Sequence, residues 1–141
     1  MRKKVVILGS TGSVGSQCLE IIRRFPDNFS VLGLSAGNNL KLLKEQIQEF
    51  NPKYYSISSS ERKIENSKNI SLEQMSSLLE ADLVVMALSG SIGLRPMFEA
   101  VNSGKAIILA NKESIVMAGK FLAGRSLFVL SRAGRTEDSA E

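Results

Sequence analysis

The sequence predicts a three-layer α/β fold in which helices cover both faces of a doubly wound parallel sheet. Five short apolar runs alternate with segments whose apolar residues recur at helical spacing, and a glycine-rich loop follows the first run. The size agrees with this class, because 141 residues with 43% hydrophobic and 23% charged side chains suit one globular domain with one core.

The first two strand–helix pairs carry the clearest patterns. Residues 4–8 form a short, nearly continuous apolar run, which is typical of a strand buried on both faces. The helical pattern of residues 14–25 ends at Pro26. A second strand is predicted at Phe29–Ala36 and a second helix at Leu40–Phe50.

The middle of the chain continues the alternation. Residues 53–58 predict a third strand, and the polar residues 58–69 predict a loop. Ser71 and Gln74 have the spacing of a capping box, so a helix is expected to begin after Ser71 and to run to Ala81.

The last predicted elements follow in the same order. Strands at residues 82–88 and 106–110 flank a helix at Leu94–Asn102, which ends at Ser103 and Gly104. A further helix is predicted at residues 114–122 and one more strand at 126–130. The residues from 131 onward are small and charged and show no periodicity, so they predict a frayed tail.

Composition excludes several kinds of function. The chain has no His and one Cys, so histidine-based triads, zinc sites and disulfide frameworks are excluded, and Cys18 is expected to be a packing residue. The net charge of +4 is scattered and only 6% of residues are aromatic, so no nucleic-acid surface is predicted. No apolar run approaches a membrane span and no signal peptide is recognised, so we expect a cytoplasmic protein without a membrane partner.

The glycine-rich loop is the strongest functional signal. Gly9, Gly12 and Gly15 have the spacing G-x-x-G-x-x-G between the first strand and the first helix, which is the context of a dinucleotide-binding loop in a Rossmann-like fold. Amides at the helix N-terminus, with the hydroxyls of Thr11 and Ser13, would bind phosphate. A tight strand–helix turn without a ligand is the alternative.

The end of the second strand indicates the type of dinucleotide. An Asp or Glu about 20 residues beyond the loop would hold the ribose 2′-hydroxyl of NAD and repel the 2′-phosphate of NADP. Gly37, Asn38 and Asn39 stand there instead, which favours NADP(H), although no Arg or Lys lies in the turn. A plain turn chosen for positive φ would be compatible with both cofactors.

A third candidate feature is Asn111-Lys112-Glu113, directly after the fifth predicted strand. Ligands of open α/β sheets bind beyond the carboxyl ends of strands, where these polar side chains would lie. A helix start with two solvated charges explains the same residues equally well.

Together these segments resemble one family. Residues 6–15, 36–39, 93–96 and 104–114 are similar to 1-deoxy-D-xylulose 5-phosphate reductoisomerase, and the resemblance runs from about residue 3 to residue 122. The strand that ends in Leu-Ala-Asn-Lys-Glu-Ser is nearly diagnostic. The resemblance implies an NADPH-binding domain of the enzyme that rearranges and reduces 1-deoxy-D-xylulose 5-phosphate to 2-C-methyl-D-erythritol 4-phosphate, in non-mevalonate isoprenoid biosynthesis.

The resemblance also implies roles for individual residues. Those implied to contact the dinucleotide are Gly9, Thr11, Gly12, Ser13, Val14, Gly15, Gly37, Asn38, Asn39, Asn111 and Glu113. Lys112 is implied to contact the sugar phosphate substrate. The family often has a basic residue where Asn38 stands.

The chain departs from the family after Leu122. The family binds a divalent metal (Mg or Mn) through an Asp-Ser-Glu segment and has a His in its flap. This sequence has no recognisable counterpart of either feature, so no metal ligand is assigned. We expect residues 1–122 to form the NADP(H)-binding domain, residues 123–141 to form a divergent, poorly ordered tail, and the chain to be inactive alone. The resemblance implies that the full-length family is homodimeric.

Two alternatives to this family remain. One is another NADP-dependent reductase, such as the aspartate-semialdehyde dehydrogenase type, and the other is a non-catalytic dinucleotide-binding module.

Overall fold

An eight-stranded sheet forms the centre of the molecule in the computed structural model, which describes residues 2–57, 64, 66–88, 90–109, 127–130 and 136–138. The strands are β1 (Lys3–Leu8), β2 (Phe29–Ala36), β3 (Tyr54–Ile57), β4 (Lys68–Asn69), β5 (Leu83–Met86), β6 (Ala106–Leu109), β7 (Leu127–Leu130) and β8 (Thr136–Asp138). Their order in the sheet is β4-β3-β2-β1-β5-β6-β7-β8. Every neighbouring pair is parallel except β7 and β8, which are antiparallel.

Helices cover both faces of this sheet. They are α1 (Ser13–Arg24), α2 (Leu40–Phe50), α3 (Leu72–Ser76) and α4 (Leu94–Asn102), with a short 3-10 helix at Gly90–Gly93 before α4. In β1, Val5 and Ile7 belong to one core cluster, which also contains buried apolar residues of α1 and α2 such as Leu19 and Leu43. Val6 and Leu8 belong to the other cluster, which contains buried apolar residues of α3 and α4. This alternation confirms the predicted three-layer α/β fold.

The chain reverses direction across the sheet beside β1. From β1 it passes outward to β2, β3 and β4, and it then crosses to the other side of β1 to form β5. The gap between β1 and β5 is therefore the topological switch point, where ligands of open α/β sheets bind beyond the carboxyl ends of the strands.

Helix α3 is shorter than the sequence predicts. It begins at the predicted capping box, in which Ser71 Oγ accepts from the Gln74 amide at 3.1 Å and the Gln74 side chain accepts from the Ser71 amide at 3.1 Å. It ends at Ser76, so the predicted extension to Ala81 was wrong. Ser77 Oγ donates to the Glu73 and Gln74 carbonyls, which a continuing helix would bond to its own amides.

Two strands differ from the expectations, and a third agrees with them. The predicted loop at residues 58–69 was wrong at its end, because Lys68–Asn69 pairs with β3. Leu127–Leu130 confirms the additional strand predicted at residues 126–130. Thr136–Asp138 forms β8, where the sequence predicts no strand. Strands of two or three residues are too short to show periodicity.

The remaining predicted elements agree to within a few residues. Phe29–Ala36, Leu40–Phe50 and Leu94–Asn102 have the predicted bounds. The predicted helix at residues 114–122 lies outside the described residues. Among the described residues, no helix has both the length and the apolar character needed to cross a membrane.

Candidate functional site

The glycine-rich loop lies at the switch point, between the ends of β2 and β5. On one side the Ser10 amide donates to the Ser35 carbonyl of β2 at 2.9 Å. On the other side the Ala87 amide, directly after β5, donates to the Leu8 carbonyl at 2.8 Å. The loop therefore faces the crevice in which this class of fold binds its ligands.

Two of the three loop glycines are required by the protein's own packing. Gly9 has a left-handed φ of 88°, and a Cβ atom there would lie 2.5 Å from the Ala87 carbonyl oxygen. A Cβ atom on Gly15 would lie 2.6 Å from Ser10 Cα. Gly9 therefore allows the loop to pass close to the backbone after β5, and Gly15 allows the first turn of α1 to pack against the loop.

Gly12 has no such requirement. Its φ of −79° is open to any residue. Of the described atoms, a Cβ there would approach only the Gly9 carbonyl oxygen, at 3.6 Å. Gly12 is also exposed. A glycine that neither backbone conformation nor packing requires leaves room for another molecule to approach the backbone.

The N-terminus of α1 is open to an anion. Gly12 is the N-cap, and the first turn has no acidic residue. Within the described part of the chain, no side chain caps this N-terminus by a hydrogen bond. Ser13 is exposed, while Thr11 and Val14 are half-buried beside it. Amides without a side-chain cap at a helix N-terminus suit a phosphate group.

The predicted ribose turn lies at the end of β2, adjacent to the loop. Gly37, Asn38 and Asn39 are exposed. Among the described residues, positive φ occurs only at Gly9, Asn51, Asn66 and Gly104, so the alternative of a turn chosen for positive φ does not hold. A Cβ on Gly37 would meet no atom of the described residues within 4 Å, so their packing does not require this glycine either.

Asn39 has a structural role that sequence reasoning missed. Its Oδ1 accepts from the Leu42 amide at 3.2 Å and thereby caps α2. An Asn directly before a helical pattern is the signal that could have revealed this role. The first turn of α2, like the turn itself, has no acidic residue.

A buried polar cluster lies directly beneath the loop. Ser10, Ser35 and Gln46 are 0%, 1% and 7% exposed, and they are joined by hydrogen bonds. Gln46 lies on the face of α2 that also buries Leu43 and Ile47. Sequence analysis missed this cluster, because a Gln in an amphipathic helix is most often on the solvated face.

Cys18 lies in α1 and packs against the same core cluster as Ile22. Its burial raises the pKa of the thiol, which disfavours the reactive thiolate. The structure therefore agrees with packing as its role. Across the described part of the chain, no three side chains among His, Cys, Asp and Glu come together as a metal-binding group.

Asn111, Lys112 and Glu113 lie outside the described residues. The strand that precedes them, β6, pairs in parallel with β5 and ends at Leu109. The carboxyl end of β6 is therefore at the same edge of the sheet as the glycine-rich loop.

Comparison with known families decides between the enzyme classes that this geometry leaves open. The family model for 1-deoxy-D-xylulose 5-phosphate reductoisomerase matches residues 5–119. The chain belongs to this reductoisomerase family.

Similar curated reductoisomerases are all longer than this chain. The Thermodesulfovibrio yellowstonii enzyme is 48% identical over 130 residues, which cover 85% of this chain and 34% of the relative. The enzyme of Thermoanaerobacter sp. strain X514 is 45% identical over 130 residues, with the same shares. The chain thus spans about a third of the length of these reductoisomerases.

Solved reductoisomerase structures share the fold. A reductoisomerase in complex with NADPH, fosmidomycin and magnesium aligns with a TM-score of 0.81 and 31% identity, over 92% of this chain and 36% of the other. The Zymomonas mobilis reductoisomerase in complex with NADPH aligns with a TM-score of 0.76 and 29% identity, over 86% of this chain and 35% of the other. A Candida albicans aspartate semialdehyde dehydrogenase with NADP, at 19% identity and a TM-score of 0.54, shares the fold alone.

Proposed function

We propose that this chain is the NADPH-binding portion of a 1-deoxy-D-xylulose 5-phosphate reductoisomerase. The whole enzyme would isomerise 1-deoxy-D-xylulose 5-phosphate and reduce the product to 2-C-methyl-D-erythritol 4-phosphate. NADPH would supply the hydride for the reduction. The proposal includes a cytoplasmic location and, for the whole enzyme, a metal-dependent homodimer.

Gly12 is the observation that carries this proposal. Gly9 and Gly15 are explained by the protein's own contacts, but Gly12 is exposed, has an ordinary φ, and leaves open space above an uncapped helix N-terminus. A pyrophosphate bound there would receive hydrogen bonds from the first-turn amides of α1, with the hydroxyls of Thr11 and Ser13 nearby. Gly9, Val14 and Gly15 would shape the loop around it.

The turn after β2 supports a preference for NADPH over NADH. No carboxylate in the turn or in the first turn of α2 would repel a 2′-phosphate. Gly37, Asn38 and Asn39 are exposed at the same edge of the sheet as the loop, where the adenosine ribose and its phosphate would lie. Asn38 would contribute hydrogen bonds where the family often has a basic side chain.

The carboxyl end of β6 completes the proposed site. Asn111 and Glu113 would contact the nicotinamide side of the cofactor, and Lys112 would pair with the phosphate of the sugar substrate. We assign no metal ligand to this chain.

Calorimetric titration of the purified chain with NADPH and NADH tests the proposal. We expect NADPH to bind, NADH to bind at least about tenfold more weakly, and the chain alone to show no metal-dependent NADPH oxidation with the sugar phosphate. Absence of any dinucleotide binding would overturn the proposal. A preference for NADH would overturn the assignment of the turn.

A charge variant locates the 2′-phosphate. Asn38→Asp places a carboxylate in the turn and should weaken NADPH binding about tenfold while leaving NADH binding nearly unchanged. Asn28→Asp is the matched control, because Asn28 is exposed and directly precedes β2, at the opposite end of that strand. Equal losses in the two variants would show that net charge, and not the turn, determines the preference.

A further inference from the structure

Gln46 and Ser10 form a reciprocal pair of hydrogen bonds between α2 and the glycine-rich loop. Ser10 Oγ donates to Gln46 Oε1 at 2.7 Å, and Gln46 Nε2 donates to the Ser10 carbonyl at 2.9 Å. Both residues are buried, and the pair joins positions 36 residues apart in the chain. The side-chain amide of Gln46 thus binds both the backbone and the side chain of Ser10, the second residue of the loop.

Ser35 fixes the same part of the loop from β2. Its hydroxyl accepts from the Gly9 amide at 2.8 Å, and its carbonyl accepts from the Ser10 amide at 2.9 Å. Ser10 is consequently held from two directions, by β2 and by α2, and Gly9 is held by β2. The loop that would contact the dinucleotide begins from these two fixed residues.

Core stability alone gives little reason for a Gln at this position. The other buried residues of α2 are Leu43 and Ile47, and an apolar side chain of similar length could fill the space next to them. Removing Gln46 would not leave the buried polar groups of Ser10 without partners, because the Ser10 hydroxyl can donate to the Ser35 carbonyl and the Ser10 carbonyl accepts from Ser16 Oγ. What an apolar side chain cannot supply is a fixed orientation of the Ser10 peptide group.

We infer that Gln46 is a positioning residue for the dinucleotide-binding loop, an inference that rests on the proposed NADPH-binding function. Gln46 holds the Ser10 peptide, and the Ser10 carbonyl in turn accepts from Ser16 Oγ in the first turns of α1 at 3.4 Å. The direction of the first α1 amides toward the pyrophosphate therefore depends on Gln46.

The same helix also carries the ribose turn. Asn39 caps α2, and Gln46 follows seven residues later, about two helical turns along the helix. A single rigid helix therefore connects the turn that would hold the 2′-phosphate with the loop that would hold the pyrophosphate. Gln46 sets the distance between the two phosphate sites as well as the orientation of the loop.

Titration of Gln46→Met with NADPH tests this role. The substitution preserves length and removes both hydrogen bonds, and we expect NADPH binding to weaken about tenfold at a temperature where the variant is fully folded. Gln48→Met makes the same change at an exposed position two residues away and should bind like the wild type. Ile47→Val destabilises the same helix by removing a buried methyl group and should also retain its affinity.

A double-mutant cycle separates positioning from a general loss of stability. Ser10→Ala removes one of the two hydrogen bonds, so Ser10→Ala with Gln46→Met should weaken binding less than the product of the two single effects. Multiplicative losses, or equal losses in Ile47→Val and Gln46→Met, would overturn the positioning role.

Hydrogen exchange keeps the inference testable without the cofactor. In Gln46→Met we expect the Gly9 and Ser10 amides to exchange about tenfold faster, while the amides of β1 keep their protection. Uniform acceleration, or no acceleration, would contradict the inference. If the wild-type chain binds no dinucleotide, the proposed function fails and the exchange pattern alone decides whether Gln46 orders the loop.

Discussion

Gly15 packs so closely against Ser10 that a Cβ atom on Gly15 would lie 2.6 Å from Ser10 Cα. Gly15→Ala must therefore move the first turn of α1 away from the loop. We expect the free energy of unfolding to fall by about 2–3 kcal/mol, more than the gain in helix propensity of Ala over Gly can offset. Urea denaturation measures this loss, with Gly37→Ala as the control.

Gly37→Ala should change the free energy of unfolding by less than about 1 kcal/mol, because a Cβ there meets no atom within 4 Å in the described part of the chain. Comparable losses in the two variants would show that the loop adjusts to a side chain at residue 15.

Gly12→Ala separates ligand binding from folding. Among the atoms that the structure describes, its Cβ would meet only the Gly9 carbonyl oxygen, at an ordinary 3.6 Å, so the free energy of unfolding should change by less than about 1 kcal/mol. The proposed pyrophosphate would lose its close approach to the backbone, and NADPH affinity should fall about tenfold or more. Denaturation measures the free energy of unfolding and calorimetry measures NADPH affinity on the same sample. Unchanged affinity would show that Gly12 does not face the cofactor.

These glycines illustrate how far the sequence alone reaches. The spacing of Gly9, Gly12 and Gly15 after an apolar run predicts where the loop lies, because strand, turn and helix must follow one another in that order. It does not reveal which glycines serve packing and which leave open space. That distinction depends on the contacts of Gly9 with Ala87 and of Gly15 with Ser10, which the spacing of the motif does not specify.

The capping box at the start of α3 contributes measurable stability. Ser71→Ala removes the acceptor for the Gln74 amide, and we expect the melting temperature to fall by a few degrees, corresponding to about 1 kcal/mol. Ser103→Ala is a suitable control. The Ser103 hydroxyl donates to the Glu99 carbonyl at the C-terminal end of α4, so this substitution removes a serine hydroxyl without affecting a helix N-terminus. A Ser71→Ala variant that melts like Ser103→Ala would contradict the contribution of the box.

The two ends of α3 differ in how well sequence predicts them. Ser71 and Gln74 are a local signal with a defined spacing, so the start is predicted correctly. The end at Ser76 depends on hydroxyls of Ser76 and Ser77 that bond to preceding carbonyls, a choice that periodicity does not reveal. Gln46 was missed for a related reason, since its partner Ser10 is distant in sequence.

Cys18 should react slowly with thiol reagents in the folded chain. Its burial raises the pKa of the thiol, so the reactive thiolate is scarcer at neutral pH than in a free cysteine. With a disulfide reagent at pH 7 we expect modification at least about tenfold slower than in urea-unfolded chain. The rate should rise with pH. Equal rates in folded and unfolded chain would show that the thiol is accessible.

Arg23 and Glu49 connect the surfaces of α1 and α2, and their contact predicts a pH dependence. Arg23 Nη2 donates to Glu49 Oε1 at 2.7 Å, Arg23 Nε donates to Glu49 Oε2, and Glu20 pairs with the same guanidinium. The hydrogen bonds from Arg23 hold the pKa of Glu49 below its ordinary value. A carboxyl group whose pKa is lower in the folded state stabilises the fold above its unfolded pKa, about 4.3, and that stabilisation is lost as pH falls through the folded pKa.

Arg23→Gln should therefore raise the pKa of Glu49 toward its ordinary value and make the loss of stability between about pH 5 and 3 shallower. Carboxyl chemical shifts followed through an acid titration measure the pKa directly. Because both side chains are largely exposed, 1 M salt should reduce the difference between variant and wild type. Lys41→Gln removes a positive charge from the same helix as Glu49 without touching the pair and should leave that pKa in place. If the pKa of Glu49 does not change in Arg23→Gln, the guanidinium is not what lowers it.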